Sequence, residues 1–293
     1  MLGGSHMPSS PKRAMLAILT MLLLGLTTNS HAEEVVQFPS ITYRLSDFQK
    51  ARATARGESV ESSPGLVITG YLSKPAGEGR HPAIVLLHGC GGLSTFHRRE
   101  AEAIRDWGYV VLAPDSFTPR GMKDACVPER RDMAPRIEDA FGALFYLSKL
   151  PFVDPTRIAV VGYSHGGGVA LRIAMQSHKT LYEMPDELRF KAAATYYPPC
   201  EILTERLVIP TLILIGDRDD WTLASNCEAA ARRQVGGPAP LSLTVFPGVY
   251  HSFNFPGFVE PRQIYGHWSK FDEGASKRAT SELRDFLEQE LAR

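Results

Sequence analysis

The chain has 293 residues, with 32 lysines and arginines balanced by 32 aspartates and glutamates. This length and an ordinary globular composition exclude collagen-like, disordered and coiled-coil classes. A formal net charge of zero gives no electrostatic footprint for nucleic acid or for an anionic membrane surface, so neither is expected as a partner.

The N-terminal segment has the pattern of a secretory signal. Met7–Ala32 contains a basic pair, Lys12 and Arg13, then an apolar run, Ala14–Leu26, then small residues typical of a cleavage site. The apolar run would span about 20 Å as a helix, against roughly 30 Å of hydrocarbon in a bilayer. We expect export to a bacterial periplasm or beyond, with a mature chain starting near Glu33 and no stable membrane anchor. An uncleaved N-terminal anchor is the alternative.

Residues 1–32 are therefore read as tag-like residues plus the signal, and residues 33–293 as one domain. Short apolar and β-branched runs recur along that domain. Several of them are continuously apolar, as expected for parallel strands covered on both faces. The predicted strands are Leu66–Thr69, Ala83–Leu87, Tyr109–Leu112, Ile158–Val161, Ala192–Tyr196, Thr211–Ile215 and Leu241–Phe246.

Helical patterns lie between these strands. Ile137, Ala140 and Leu144 share one face of a predicted helix, and a C-terminal stripe runs from Ala279 to Leu291. Alternating strands and helices joined by short loops predict a mostly parallel, doubly wound α/β sheet. In such sheets ligands bind beyond the carboxyl ends of the strands. Residues that directly follow strands are therefore the candidates for chemistry.

One such position carries the motif Gly162-Tyr163-Ser164-His165-Gly166. It is a G-x-S-x-G sequence between a predicted strand and a predicted helix, the context of a nucleophile elbow. A tight turn there would raise the Ser164 hydroxyl above the sheet at a helix N-terminus, where the dipole and a backbone N–H stabilise an oxyanion. An incidental serine in a glycine-rich turn is the alternative.

A nucleophilic serine needs a base and an orienting acid, which follow it in the order acid, then histidine, in this type of fold. His251 follows the strand Leu241–Phe246 and is the candidate base. Three aspartates after the strand Thr211–Ile215 compete as the acid: Asp217, Asp219 and Asp220.

Five segments together resemble the dienelactone hydrolase family of α/β-hydrolases, in the family's order. They are His88–Leu93 (HGCGGL), Pro114–Gly121 (PDSFTPRG), Gly162–Gly168 (GYSHGGG), Ile215–Trp221 (IGDRDDW) and Tyr250–Gly257 (YHSFNFPG). The resemblance implies an α/β-hydrolase fold from about Leu66 to the C-terminus. It also implies that Asp219 is the acid and His251 the base, with no metal and no organic cofactor.

The resemblance places the oxyanion hole on two backbone N–H groups, those of His165 and Cys90. It also has two departures. Dienelactone hydrolases proper use a cysteine where this chain has Ser164, and a glutamate where it has Gly89. Both departures favour the mechanism of a serine esterase, and both argue against dienelactone as the substrate.

Aromatic residues near the predicted strand ends are candidates for an apolar pocket: Phe117, Tyr197, Trp221 and Phe253. A role in the core is the alternative for each. No long insertion interrupts the strand–helix pattern, so we expect no lid domain and small to medium esters, including lactones, as substrates. Two other functions remain open: an exported serine peptidase or amidase on the same fold, and a non-catalytic binding protein. The sequence does not indicate an oligomeric state.

Four cysteines occur, none with C-x-x-C spacing, which argues against a zinc site. They allow three pairings, among which the residues alone do not choose. The strand neighbours of an α/β-hydrolase sheet imply Cys90–Cys126 and Cys200–Cys227, both at the catalytic edge. Buried free thiols are the alternative.

Overall fold

The structure is a computed structural model that describes residues 1–4, 33–42, 47–57, 65–127, 132–175, 184–185 and 187–292. The described strands and helices all belong to one unit, His31–Arg293. The predicted signal, Met7–Ala32, lies outside the described residues, so the expected boundary between residues 32 and 33 stays a prediction.

A central sheet organises the described residues. Its eight strands are β1 (Glu34–Pro39), β2 (Val67–Ser73), β3 (His81–Leu87), β4 (Val110–Asp115), β5 (Val153–Tyr163), β6 (Ala193–Tyr196), β7 (Thr211–Gly216) and β8 (Leu241–Phe246). Their order across the sheet is β1-β2-β4-β3-β5-β6-β7-β8. The neighbours from β4 through β8 pair in parallel, whereas β1 and β2 form an antiparallel edge.

Six helices accompany the sheet in the described part of the chain: α1 (Asp47–Ala55), α2 (Thr95–Asp106), α3 (Ala134–Lys149), α4 (His165–Ala174), α5 (Ala224–Gln234) and α6 (Glu273–Leu291). Leu144 of α3 and Leu287 of α6 are fully buried, as the predicted apolar stripes require. None of the described helices combines the length and the apolar character needed to cross a bilayer.

The continuously apolar strands are buried on both faces. Ala83–Leu87 in β3 and Ile213–Ile215 in β7 have almost no exposed surface, because helices cover both sides of a parallel sheet. The α/β-hydrolase fold with a mostly parallel sheet is thus confirmed. β1 and a two-stranded hairpin, β9 (Arg262–Ile264) with β10 (His267–Ser269), were not predicted from the sequence.

Candidate active site

Ser164 occupies the sharp turn between β5 and α4. Its backbone has φ of 51° and ψ of −114°, a left-handed conformation that a side chain adopts only when the surroundings impose it. The flanking glycines permit this turn. A Cβ on Gly162 would collide with the Gly166 backbone, and a Cβ on Gly166 would lie 2.5 Å from the carbonyl oxygens of Leu87 and His88. The G-x-S-x-G spacing therefore reflects the close approach of α4 to β5 and β3.

Three side chains from three loops form a continuous hydrogen-bonded chain. The Ser164 hydroxyl oxygen lies 3.0 Å from Nε2 of His251, and Nδ1 of His251 lies 2.7 Å from Oδ2 of Asp219. Asp219 and His251 are both buried. The rings of Tyr197 and Trp221 pack against the His251 imidazole, with centroids 4.6 Å and 5.0 Å away. These contacts fix the imidazole between the hydroxyl and the carboxylate.

Asp219 is oriented by the residues that follow it. Its Oδ1 accepts the backbone N–H groups of Trp221 and Thr222 at 2.9 Å and 2.8 Å. The Thr222 hydroxyl lies 2.9 Å from Oδ2 of the same carboxylate. Thr222 was not singled out in the sequence, although its position three residues after an aspartate is a common signal of a loop closed by an Asp side chain.

The two competing aspartates have other partners. Oδ1 of Asp217 accepts the Gly248 N–H at 2.6 Å, which joins the loops after β7 and β8. Oδ1 of Asp220 accepts the Trp268 N–H at 2.9 Å and so holds the hairpin β9–β10. The structure brings only Asp219, among the three, to the His251 ring.

The loop after β3, residues 88–92, is fixed at successive peptide groups. The His88 ring lies 2.7 Å from the Gly89 carbonyl and accepts the Ser116 N–H at 3.4 Å, so it holds the loop against the segment after β4. His97 of α2 accepts the Gly89 N–H at 3.3 Å. The Cys90 carbonyl accepts the Ala125 N–H at 2.7 Å. The loop is therefore rigidly placed beside Ser164.

Burial controls the charge of the two loop-holding histidines. It lowers the pKa of His97 to about 3 and the pKa of His88 well below its ordinary value, and the positive charge of Arg136 adds to both effects. Both rings are therefore neutral at physiological pH. A neutral ring keeps one nitrogen as an acceptor, which the bonds from Gly89 and Ser116 require.

Two disulfides lie at this edge of the sheet, in the pairing that the resemblance implied. Cys90–Cys126 ties the loop after β3 to the segment that follows β4, with Cα atoms 4.8 Å apart. Cys200–Cys227 ties the segment after β6 to α5, with Cα atoms 4.9 Å apart. No cysteine in the described residues is free.

A cavity of about 470 Å³ opens beside Ser164. Its described lining includes Trp221, both residues of the Cys90–Cys126 bridge and His165. Apolar side chains from α3 and from the segment after β6 form one part of the wall: Met133, Ile137, Pro199 and Ile202. Three charged residues also line the cavity: Asp132, Arg172 and Glu201.

Three of the four predicted pocket aromatics do not line this cavity in the described structure. Phe117 is buried under the His88 ring, with centroids 4.7 Å apart. Phe253 is fully buried in the core. Tyr197 packs behind His251, and its hydroxyl donates to Asn254 at 2.7 Å. These three rings fill the space beneath the loops, whereas Trp221 lines the cavity, and the assignment of residues that contact a substrate stays a prediction.

In the described part of the chain, no three histidine, cysteine, aspartate or glutamate side chains converge in a way that could hold a metal ion. The expectation that no metal or cofactor is used stays a prediction. The elements of the site are thus a serine in an elbow, a histidine, a carboxylate and a hydrogen-bonded loop after β3, beside a cavity.

This fold, with a serine, a histidine and a carboxylate in the loops after its strands, is that of the α/β-hydrolase class of proteins. The dienelactone hydrolase family matches residues 68–291, and the chain belongs to that family. The membership favours a carboxylic ester hydrolase as the activity.

Comparisons with individual proteins agree with this membership. The chain is 31% identical over 134 residues to carboxymethylenebutenolidase 1 of Cupriavidus pinatubonensis, covering 41% of this chain and 56% of that protein. It is 29% identical over 247 residues to a Mycobacterium tuberculosis protein named "Putative phosphoribosyl transferase", covering 80% of this chain and 51% of that one. The chain thus spans about half the length of these curated relatives.

A solved structure gives the fold comparison. A Klebsiella pneumoniae protein titled "Putative Dienelactone Hydrolase" superposes with a TM-score of 0.63 and 17% sequence identity. The superposition covers 87% of this chain and 99% of that protein. At this identity the likeness is one of fold.

Proposed function

We propose that the protein hydrolyses carboxylic esters through an acyl-enzyme on Ser164. The observation that carries the proposal is the hydrogen-bonded chain from Ser164 Oγ to His251 Nε2 and from His251 Nδ1 to Asp219 Oδ2. A hydroxyl, a base and an orienting carboxylate in this order are the parts that nucleophilic acyl transfer needs.

Acylation begins when the Ser164 oxygen attacks the ester carbonyl carbon. The hydroxyl proton passes to Nε2 of His251, and the buried Asp219 carboxylate stabilises the resulting imidazolium through Nδ1–H. The carbonyl oxygen becomes an oxyanion that accepts the backbone N–H groups of Cys90 and His165. The C–O bond to the alcohol then breaks, and His251 gives its proton to the departing alkoxide.

Deacylation repeats these steps with water in place of the serine. His251 takes a proton from the water as its oxygen attacks the acyl carbon. A second oxyanion forms in the same place, and the Ser164 oxygen leaves with the proton that His251 returns. The products are the free acid and the regenerated hydroxyl.

The cavity supports small to medium esters and lactones as substrates. Its volume of about 470 Å³ lies within the range of small-molecule sites, and Met133, Ile137 and Ile202 offer an apolar surface to an acyl or alcohol group. Ser164 and Gly89 replace the cysteine and glutamate of dienelactone hydrolases proper, which argues for ordinary esters over dienelactone.

We also propose that the protein is exported. The signal pattern in Met7–Ala32 and the two disulfides together support this, since disulfides persist in oxidising compartments. We expect a small-molecule ester as the partner. We expect neither a nucleic-acid partner nor a stable membrane anchor.

A substrate panel with a nucleophile variant tests the proposed activity. Purified protein should hydrolyse p-nitrophenyl acetate and butyrate and simple lactones, while p-nitroanilide peptides stay intact. Ser164→Ala should lose at least about 10⁴-fold in kcat, because the residues of a triad act as a unit. Ser148→Ala, which removes a hydroxyl bonded to the Phe145 carbonyl on α3, is the matched control and should stay fully active.

Three outcomes would contradict the proposal. Faster cleavage of anilides than of esters would indicate a peptidase or amidase. Absence of turnover on every ester and lactone would indicate a binding protein. Full activity in Ser164→Ala would move the chemistry to another residue.

A further inference from the structure

Arg136 is a buried arginine that the proposed reaction does not use directly. It lies in the first turn of α3 and is only 2% exposed. Burial lowers the pKa of its guanidinium to about 9, while the nearby charges of Asp139 and Asp115 oppose that shift. The group is therefore a cation at neutral pH. A buried cation costs free energy unless its donors are hydrogen-bonded, so the partners of this guanidinium are informative.

The guanidinium joins the two segments that flank Ser164. Nη1 lies 2.6 Å from Nδ1 of His165, and Nη2 donates to the carbonyl oxygen of His88 at 2.6 Å. His165 directly follows the nucleophile, and the His88 carbonyl lies two residues before Cys90. One planar group thus contacts two residues that lie 48 and 29 positions away from Arg136 in the sequence.

One of these bonds restrains the His165 ring, and the other restrains the backbone at His88. Because the guanidinium has only donors, Nδ1 of His165 must be the acceptor, which leaves the ring hydrogen on Nε2 and fixes the ring beside the start of α4. The bond to the His88 carbonyl polarises the peptide group whose N–H, on Gly89, donates to His97. The cation also helps to keep His88 and His97 neutral, as their acceptor roles require.

Packing holds the guanidinium in this plane. It lies over the Phe117 ring, 5.2 Å from its centroid, and Phe117 packs edge-on against His88. Arg120, the neighbouring arginine, is engaged by both carboxylate oxygens of Asp139, at 2.8 Å and 2.9 Å. The two arginines therefore have different partners: one neutralises a carboxylate, and the other binds two neutral acceptors next to the nucleophile.

We propose that Arg136 is a positioning residue for the oxyanion hole. By holding His165 and the His88 carbonyl on one rigid fork, it sets the separation between the N–H groups of Cys90 and His165. The inference rests on the proposed function, in which those two groups bind the oxyanion. A lysine would reach one acceptor at a time, because an ammonium lacks the planar fork of donors.

Kinetics and a transition-state analogue test this role together. The assay uses p-nitrophenyl acetate as substrate and a trifluoromethyl ketone as inhibitor. Ser164 adds to the ketone carbon, its proton passes to His251, and the ketone oxygen becomes a stable oxyanion in the hole. Inhibitor affinity therefore reports the oxyanion hole, whereas KM reports ground-state binding.

Arg136→Met should lower kcat by about 100-fold, the lower range found when a single oxyanion donor is lost, with KM changed less than about threefold. The inhibition constant should rise by the same factor as kcat falls. Arg136→Lys should give an intermediate loss in both quantities and serves if the methionine variant does not fold. Leu144→Ala, a fully buried change in the same helix, is the control: it should lower the melting temperature and leave kcat and inhibitor affinity unchanged.

The results separate the inference from the function on which it rests. An active wild-type enzyme whose Arg136 variants lose activity only in proportion to the folded fraction, or keep wild-type inhibitor affinity, would overturn the positioning role alone. A wild-type protein that neither hydrolyses esters nor binds the ketone would overturn both. Matching losses in kcat and inhibitor affinity would establish the role.

Discussion

The acid–base side of the proposed site contains Asp219 and His251, and Asp219 is held by backbone N–H groups two and three residues further along the chain. The oxyanion side contains Cys90 and His165. There the loop after β3 is held by Arg136, 48 residues away from His88, and by a disulfide that closes 36 residues. The Asp219 carboxylate is therefore oriented by a short local turn, whereas the loop after β3 is fixed by contacts between distant parts of the chain.

The fixed charges on the two sides also differ in sign. Asp219 is a buried carboxylate beside the His251 ring, which becomes positive in the proposed reaction. Arg136 is a buried cation beneath the segments proposed to bind the negative oxyanion. Each side thus holds a charge opposite to the one that develops next to it, which is how preorganised electrostatics lowers a barrier.

The largest loss of activity is expected when one carboxylate oxygen of Asp219 is replaced by an amide nitrogen. Asp219→Asn should lower kcat by about 10⁴-fold, because the amide stabilises the wrong tautomer of the His251 ring while the shape of the loop is kept. Steady-state rates on p-nitrophenyl acetate measure the effect.

Asp217→Asn and Asp220→Asn are the matched controls for that change. Both side chains accept a backbone N–H, from Gly248 and Trp268, and an asparagine oxygen accepts the same bond. Each should stay within about threefold of wild type, since no triad contact is lost. A larger loss at Asp217 or Asp220 than at Asp219 would show that the acid is wrongly assigned.

The oxyanion side is expected to depend on its disulfide. Replacing Cys90 and Cys126 together by serine should lower the free energy of unfolding by about 2–4 kcal/mol, and replacing Cys200 and Cys227 should cost a similar amount, because the closed loops have similar lengths of 36 and 27 residues. Only the first pair lines the cavity and includes a proposed oxyanion donor. We expect an additional loss in kcat of about tenfold for that pair alone.

Chemical denaturation and kinetics at a temperature well below both melting points separate these effects. Equal losses of kcat in the two double variants would contradict the difference between the sides. The backbone N–H of residue 90 is present in both variants, so the comparison measures placement of the loop and not loss of the donor.

The smallest expected effect concerns stability on the oxyanion side. Glu100 of α2 accepts the Tyr163 hydroxyl at 3.0 Å, and burial raises the pKa of its carboxyl to about 7, from an ordinary value of 4.5. Between these two pH values the unfolded chain has lost the proton that the folded chain still binds. Stability therefore falls as pH rises through this window, by up to about 3 kcal/mol.

Glu100→Gln should remove this loss and leave kcat unchanged. The variant should match wild type near pH 4.5 and exceed it in free energy of unfolding by about 1–3 kcal/mol at pH 8. Urea denaturation at both pH values measures the difference. If the free energy of unfolding of the variant fell between pH 5 and 7 as steeply as that of the wild type, the pH dependence would not come from Glu100.

Local chemistry explains which parts of the site the sequence predicts. Ser164 directly follows β5, Asp219 and His251 lie in the loops after β7 and β8, and the positions two before and two after the serine need glycine for a visible steric reason. Arg136 and His97 gave no such signal, because an arginine or a histidine on a helix is in most cases a surface residue. Their partners are distant in sequence, so only the folded chain brings them together.

The same reasoning applies to the fold. Five of the seven predicted strands are buried and largely apolar, a pattern that stands out in the sequence, whereas β1 exposes four of its six residues. The β9–β10 hairpin was missed, although Tyr265-Gly266 is a two-residue loop with positive φ at both positions. A glycine in the second position of such a loop is the usual signal of a hairpin.

The central claim is that Ser164 becomes covalently acylated, and mass spectrometry of a trapped adduct tests it most directly. The wild-type chain is treated with a fluorophosphonate, digested and mapped. We predict one adduct per chain, on the Ser164 hydroxyl, with labelling lost in Ser164→Ala and slowed in Asp219→Asn by a factor comparable to its loss in kcat. An adduct on any other residue, or rapid ester turnover with no adduct at Ser164, would contradict the account.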